Sequence, residues 1–234
     1  MQVVLLAGGL GTRLSEETDF IPKPMVRIGG LPILHHIMNF YASFGHYEFI
    51  IALGYKAEVV KEYFSGVKTP SWKINLVDTG LETSTGGRIK MLENLLQDEF
   101  MLTYGDGLSN IDLNQLISHH KRFDKLATVT AVRPPSRFGT IEISNGMVTR
   151  FAEKDPQDAG WINGGFFYLN RQICKYIESE MVSFESEPIA NLVANQQLSA
   201  YEHHGWWQPM DTLRDKRVLE SLWIKGDAPW LMKK

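Results

Sequence analysis

The chain has 234 residues, 44% hydrophobic and 22% charged, with a formal net charge of −3. These values suit a globular chain with one sizeable core and exclude a basic nucleic-acid surface, so any positive charge that matters is local. One cysteine, Cys174, rules out an intrachain disulfide and fits a reducing, cytoplasmic setting. No apolar run approaches the roughly 20 residues of a membrane helix, and the apolar start is too short for a signal-peptide core.

The first element predicted is a buried strand, Val3-Val4-Leu5-Leu6-Ala7, running into Gly8-Gly9-Leu10-Gly11-Thr12-Arg13-Leu14. Pro22-Lys23-Pro24-Met25 follows shortly after. Glycines let backbone N–H groups approach an anion, and Arg13 and Lys23 add fixed positive charge beside them. The simplest ligand for such a turn is the polyphosphate of a nucleotide. It is not a dinucleotide fingerprint, because Leu14 stands where the third glycine belongs, and no Gly-Lys-Ser/Thr makes it a P-loop.

Apolar residues at helical spacing predict a helix over 32–44, stopped by Gly45. A strand is expected over 48–53, a helix over 57–64, a strand over 73–77 and a helix over 87–96. The strand 100–104 ends at Gly105-Asp106-Gly107, and Asp112 is the expected N-cap of a helix reaching Phe123. Strands alternating with helices imply a mostly parallel sheet. The second half differs. A strand over 127–132 precedes segments 139–143 and 147–153, which flank the hairpin signal Asn145-Gly146. Then come a strand over 166–169, helices over 171–177 and 188–195, a strand over 199–202 and a helix over 212–225. No Pro/Gly/Ser-rich linker divides the chain, which implies one domain over 1–234.

Two aspartates suit a metal held by oxygen ligands. Asp106 follows the strand 100–104, where ligands of open α/β sheets bind. Asp211 precedes the last helix. A turn aspartate and a helix N-cap are the plain alternatives for the two. Of the pairs His35-His36, His119-His120 and His203-His204, the first two are poor metal sites, since adjacent helical residues point apart, and no Cys-x-x-Cys or His-Glu-x-x-His suggests zinc. Trp206, Trp207, Trp223 and Trp230 are expected as packing anchors, and Cys174 as an inert thiol.

Leu-Ala-Gly-Gly-x-Gly-Thr-Arg-Leu followed by Pro-Lys-Pro-Met resembles the signature of the sugar-phosphate nucleotidyltransferases, and the likeness narrows toward the glucose-1-phosphate cytidylyltransferases. It implies a Rossmann-like, mixed and mostly parallel sheet flanked by helices, with an inserted β-hairpin substrate lobe. The nucleotide-binding half would be 1–124 and the sugar-phosphate-binding half 125–234. The implied reaction joins CTP and α-D-glucose 1-phosphate into CDP-glucose and pyrophosphate, with Mg²⁺ on Asp106 and Asp211. Arg13, Lys23 and Asp106 would be catalytic. Leu6, Ala7, Gly8, Gly9, Leu10, Gly11, Thr12, Arg13, Lys23, Thr83, Arg88 and Gly105 would hold the nucleotide, with Thr83 and Arg88 reading the base. Glu153, Lys154 and Asn163 would hold the sugar phosphate. Ser136-Arg137-Phe138-Gly139 also matches and is assigned to the turn into the hairpin.

Two departures stand out. Asp155 interrupts the family's Glu-Lys-Pro element and leaves open which sugar 1-phosphate is used. The segment 65–72 is shorter than usual, in a region the family associates with subunit contacts. The remaining expectations are a homo-oligomer with no nucleic-acid or membrane partner. Another sugar 1-phosphate or nucleotide is the nearest rival reading. A glycosyltransferase of similar fold is the next, although Asp106-Gly107-Leu108 lacks that class's Asp-x-Asp.

Overall fold

A computed structural model of the chain describes residues 1–9, 11, 21–67, 71–134, 140–152 and 160–231. In chain order the elements are β1 (Gln2–Leu6), the short strands β2 (Arg27–Ile28) and β3 (Leu31–Pro32), α1 (Ile33–Ser43), β4 (Glu48–Leu53), α2 (Ala57–Gly66), β5 (Lys73–Asp78) and α3 (Thr85–Met91). Next come β6 (Glu99–Tyr104), β7 (Gly107–Ser109), α4 (Leu113–Phe123), β8 (Ala127–Val132), β9 (Thr140–Ser144), β10 (Met147–Ala152) and β11 (Ile162–Asn170). The chain finishes with α5 (Glu187–Ala194), β12 (Leu198–His203), β13 (Trp207–Pro209) and α6 (Leu213–Ile224).

Seven strands form one sheet in the order β12-β8-β11-β6-β1-β4-β5. All adjacent pairs are parallel except the two made by β11, which runs against both β6 and β8. The sheet is mixed and mostly parallel, as expected. Every residue of β1 is buried, which is what a strand covered on both faces requires. Its side chains alternate between two cores. Val3 and Leu5 pack with Phe49, Ile51, Met101 and Phe166 beneath α1, α2, α4 and α6. Val4 and Leu6 pack with Ile50, Leu102, Phe167, Ile89 and Leu192 on the other face.

The differences from expectation have local causes. The helix placed over 87–96 begins at Thr85 and gives way to a 3-10 turn, Glu93–Leu95. Residues Arg171–Tyr176 form a 3-10 turn capped by Asn170 instead of an α-helix. β11 extends back to Ile162, because Gly164 and Gly165 mask its start and its register against β8 shifts between Asn163 and Phe167. The strands β2, β3, β7 and β13 are two or three residues long, too short for periodicity to reveal. The β9–β10 hairpin turns at Asn145 and Gly146, with φ of 50° and 80°, the left-handed pair such a turn demands. Residues 139 and 153, the expected outer ends of that hairpin, lie outside the described residues.

The histidine pairs are structural. His36 lies between Trp223 and Trp230, and its Nε2 donates to Ile28 O, 2.8 Å away. His120 pairs with Thr128, and His35 with the Tyr63 hydroxyl. Burial lowers the pKa of His35, His36, His46, His119, His120 and His203. A folded pKa below the unfolded value of 6.5 means that unfolding takes up protons in acid. This stabilisation is full above the unfolded pKa and is lost as pH falls through it. The thermal midpoint should therefore drop between about pH 7.5 and about pH 5.5 in scanning calorimetry; a midpoint that held or rose would contradict neutral buried histidines.

Candidate active site

A cavity of about 840 Å³ opens beyond the carboxyl ends of β1 and β6. Connections leave β1 toward β4 and β5 on one side, while β6 lies on the other. This is the point where strand order reverses, and it is where open α/β sheets bind ligands. The antiparallel β11 brings its amino end, Ile162 to Gly165, to the same rim.

Lys23 sits on a 3-10 turn, Lys23–Met25, with its side chain 8% exposed. Its Nζ donates to Asp106 Oδ2 at 2.6 Å and to Asp211 Oδ1 at 2.7 Å. Burial alone would lower the ammonium's pKa; the two carboxylates outweigh it and hold the value above that of ordinary lysine. The aspartates are far apart in sequence and are joined by a local device. β7 pairs antiparallel with β13, Gly107 opposite Pro209, and Met210 N donates to Asp106 O at 2.8 Å. The N-cap alternative for Asp211 does not hold. Thr212 caps α6 in a capping box with Asp215, and the Asp211 carboxylate faces Lys23.

Arg88 is 4% exposed and turned inward. Its Nη1 lies 2.9 Å from Leu53 O, 2.6 Å from Thr79 Oγ1 and 2.8 Å from Gly80 O. Its Nη2 donates to Gly8 O at 3.1 Å and Leu81 O at 3.3 Å. One guanidinium thus ties the glycine turn after β1, the end of β4 and the loop after β5. A Cβ on Gly8 would stand 2.3 Å from Arg88 Nη1, so this glycine makes room for the arginine as well as for any ligand. Arg88 lines the cavity with its donors on protein oxygens, and Thr83 stands at the cavity wall.

On the opposite wall a polar chain crosses the cavity. Thr85 and Ser183 each donate to Glu185 Oε2 at 2.5 Å, and the Tyr104 hydroxyl donates to Glu185 Oε1. Asn163 Nδ2 donates to the Tyr104 hydroxyl at 3.1 Å, and Asn163 Oδ1 accepts from Gly165 N at 2.8 Å. Burial and then the Glu185 charge raise the Tyr104 pKa, so the phenol keeps its proton. For Glu185, burial pushes the pKa up, but the hydroxyl donors prevail and it lies below the ordinary carboxylate value.

Leu6, Ala7, Gly8, Gly9, Gly11, Lys23, Thr83, Arg88, Gly105, Asp106, Asn163 and Asp211 all line this one cavity. Leu10, Thr12, Arg13, Glu153 and Lys154, with Ser136-Arg137-Phe138-Gly139, lie outside the described residues. Glu185, Ser183 and Tyr104 also line it and carry no sequence signal of their own. Trp207, expected only to pack, forms part of the wall and donates to Gly164 O at 2.8 Å. Trp206 stacks on Trp230 as an anchor should. Cys174 is fully buried and its thiol is pushed up to about 12, which leaves it unreactive.

The sequence profile described as nucleotidyl transferase matches residues 2–213. The chain belongs to the nucleotidyl transferase family. It is 47% identical to the glucose-1-phosphate cytidylyltransferase of Salmonella typhi, with 98% of each chain covered. It is 41% identical to the probable glucose-1-phosphate cytidylyltransferase of Bacillus subtilis, covering 98% of this chain and 99% of the relative. The first of these alignments runs over 253 positions, more than the 234 residues here, so that relative has residues without counterpart in this chain. The crystal structure of HddC from Yersinia pseudotuberculosis matches 95% of this chain and 99% of its own, with a TM-score of 0.76 and 26% identity.

Arg88→Lys keeps the charge but presents a single nitrogen, which cannot serve carbonyls on three segments at once. Gly8 O and Leu53 O keep backbone donors in Tyr55 N and Thr79 N, so the loss falls on Gly80 O and Leu81 O, at about 1–3 kcal/mol for each acceptor left short. Urea unfolding should record a loss of about 2–4 kcal/mol for this variant; a loss below about 0.5 kcal/mol would mean that the guanidinium is not the tie between the three segments.

Proposed function

We propose that the protein transfers the cytidylyl group of CTP to α-D-glucose 1-phosphate, giving CDP-glucose and pyrophosphate. The observation that carries this reading is the near full-length similarity to glucose-1-phosphate cytidylyltransferases, in a chain whose cavity gathers Lys23, Asp106 and Asp211 at the strand switch point. Nucleotidyl transfer asks mainly that the phosphates be held, their charge neutralised and the attacking oxygen aligned with the α-phosphorus. The glycine turn offers backbone N–H groups for the phosphates. Arg13 and Lys23 supply positive charge, and Glu153, Lys154 and Asn163 hold the sugar phosphate. The half 1–124 binds the nucleotide and the half 125–234 the sugar phosphate. Arg88 acts on the base indirectly, by fixing the loop that carries Thr83.

The donor set suits Mg²⁺. Asp106 and Asp211 are hard oxygen ligands, and they already stabilise one cation between them, the Lys23 ammonium. When bound there, Mg²⁺ neutralises charge on the triphosphate. Lys23 carries its ammonium on a flexible four-carbon stem, so the charge that balances the aspartates can also serve phosphate oxygens. No helix among the described residues is long and apolar enough to cross a membrane. We place the protein in the cytoplasm as a homo-oligomer, with small-molecule substrates and no nucleic-acid partner.

The first test is pyrophosphate release from CTP, dTTP, UTP and GTP, each with glucose 1-phosphate and Mg²⁺. CTP should exceed the others by at least about 10-fold, the order that one or two base-specific hydrogen bonds provide; preference for another nucleotide would overturn the cytidylyl assignment. A second test separates the two roles of Lys23. Lys23→Met should bind Mn²⁺ about 10-fold tighter than the native protein without nucleotide, because a competing charge is gone. The same variant should release pyrophosphate at least about 10²-fold more slowly. Unchanged Mn²⁺ affinity would mean that the ammonium and the metal do not share a site.

A further inference from the structure

We propose that Glu185 and Tyr104 are positioning residues for the sugar side of the cavity: through them the Asn163 amide is held one way round, with an N–H presented to an oxygen of the sugar 1-phosphate. The assignment rests on the reading of the site as one for a sugar 1-phosphate. Glu185 itself is saturated. The Thr85 and Ser183 hydroxyls donate to Oε2, the Tyr104 hydroxyl donates to Oε1, and the residue's own backbone N–H donates to the carboxylate. An ionised carboxylate offers about four acceptor directions, and all of them are taken. Its effect on a ligand therefore passes through its donors.

Of these donors, Tyr104 leads on to a further cavity residue. A phenol has one proton, and that of Tyr104 is committed to Glu185. The Tyr104 oxygen is then left to accept, and it accepts from Asn163 Nδ2 at 3.1 Å. At the other end of the same amide, Gly165 N donates to Asn163 Oδ1 at 2.8 Å. A backbone N–H only donates, so both neighbours agree on which end of the amide is oxygen and which is nitrogen. The amide nitrogen carries two N–H groups, and Tyr104 takes one. Asn163 is exposed at the rim of the cavity, and no other acceptor among the described residues meets it. Its second N–H is a fixed donor toward a ligand at that rim. A donor ordered in advance binds without first losing side-chain freedom.

The test is Glu185→Gln. The substitution keeps one oxygen for Thr85 and Ser183 and puts an amide nitrogen opposite the Tyr104 oxygen. The Tyr104 proton is displaced toward Asn163, whose oxygen Gly165 N already claims, and the amide loses its single orientation. In pyrophosphate release with CTP, the KM for glucose 1-phosphate should rise about 5–10-fold, the worth of one hydrogen bond, while kcat and the KM for CTP stay within about 3-fold. Tyr104→Phe, which deletes the acceptor for Asn163, should give the same split. In an Asn163→Ala background, Glu185→Gln should add less than about 2-fold, because the residue it acts through is gone. A full penalty that persisted in that background would overturn the assignment. A native KM for glucose 1-phosphate in Glu185→Gln or in Tyr104→Phe would overturn it as well, and so would a loss confined to kcat. Native enzyme inactive with every sugar 1-phosphate would instead defeat the activity itself, and this assignment with it.

Discussion

One ammonium between two carboxylates organises the functional end of this molecule. Lys23, itself buried, meets the half-buried Asp106 and Asp211 at 2.6 and 2.7 Å on the cavity wall. Two aspartates facing the same point would repel one another without a cation there, and the cost grows as water is excluded. The short β7–β13 ladder and the Met210 to Asp106 backbone bond hold the carboxylates close. The lysine makes that closeness tolerable. The geometry that brings two acidic side chains together therefore stores a demand for positive charge, and both phosphate-bound metal and substrate chemistry can draw on it.

Arg88 plays the complementary part on the nucleotide side. Five contacts to oxygens of Gly8, Leu53, Thr79, Gly80 and Leu81 add to the backbone bonds Tyr55 N to Gly8 O and Thr79 N to Leu53 O and make a rigid corner of three segments. The buried guanidinium gives these oxygens a further donor. Precision in the loop beside Thr83 follows from that. The sugar side is built differently, from hydroxyls around Glu185. Carboxylates thus stand on both walls of the cavity, Asp106 and Asp211 around the Lys23 ammonium on one and Glu185 among hydroxyls on the other.

The parallel core was legible because its strands are short β-rich runs, β1, β4 and β6 leading into glycine turns. Strand β4 over 48–53 and strand β8 over 127–132 fall where their patterns place them. The Asn145-Gly146 turn was equally legible, since few dipeptides accept two left-handed residues. Lys23, Asp106 and Asp211 could be named from sequence, but their contact could not. It depends on β7 and β13, three-residue strands with no periodicity to detect. Glu185 lay hidden for a related reason. A glutamate in an irregular segment looks like any surface carboxylate until folding sets it against Tyr104. For Arg88 the sequence marked a residue of the cavity but not its main-chain partners, because only tertiary structure determines which oxygens a guanidinium meets.

The position of β1 has a consequence for how the protein is made. It precedes the other strands of its sheet in this sequence and lies in the interior of the sheet, between β4 and β6. Its neighbour β4 follows within about fifty residues, but β6 starts only at Glu99. At about 5–20 residues per second the ribosome needs several seconds to deliver it. During that interval one edge of a strand with four apolar residues in succession, Val3 to Leu6, has no partner, and the loop that must close is long. Synthesis thus passes through a half-sheet whose exposed edge is the future centre of the molecule, and the cavity cannot exist until that edge is covered.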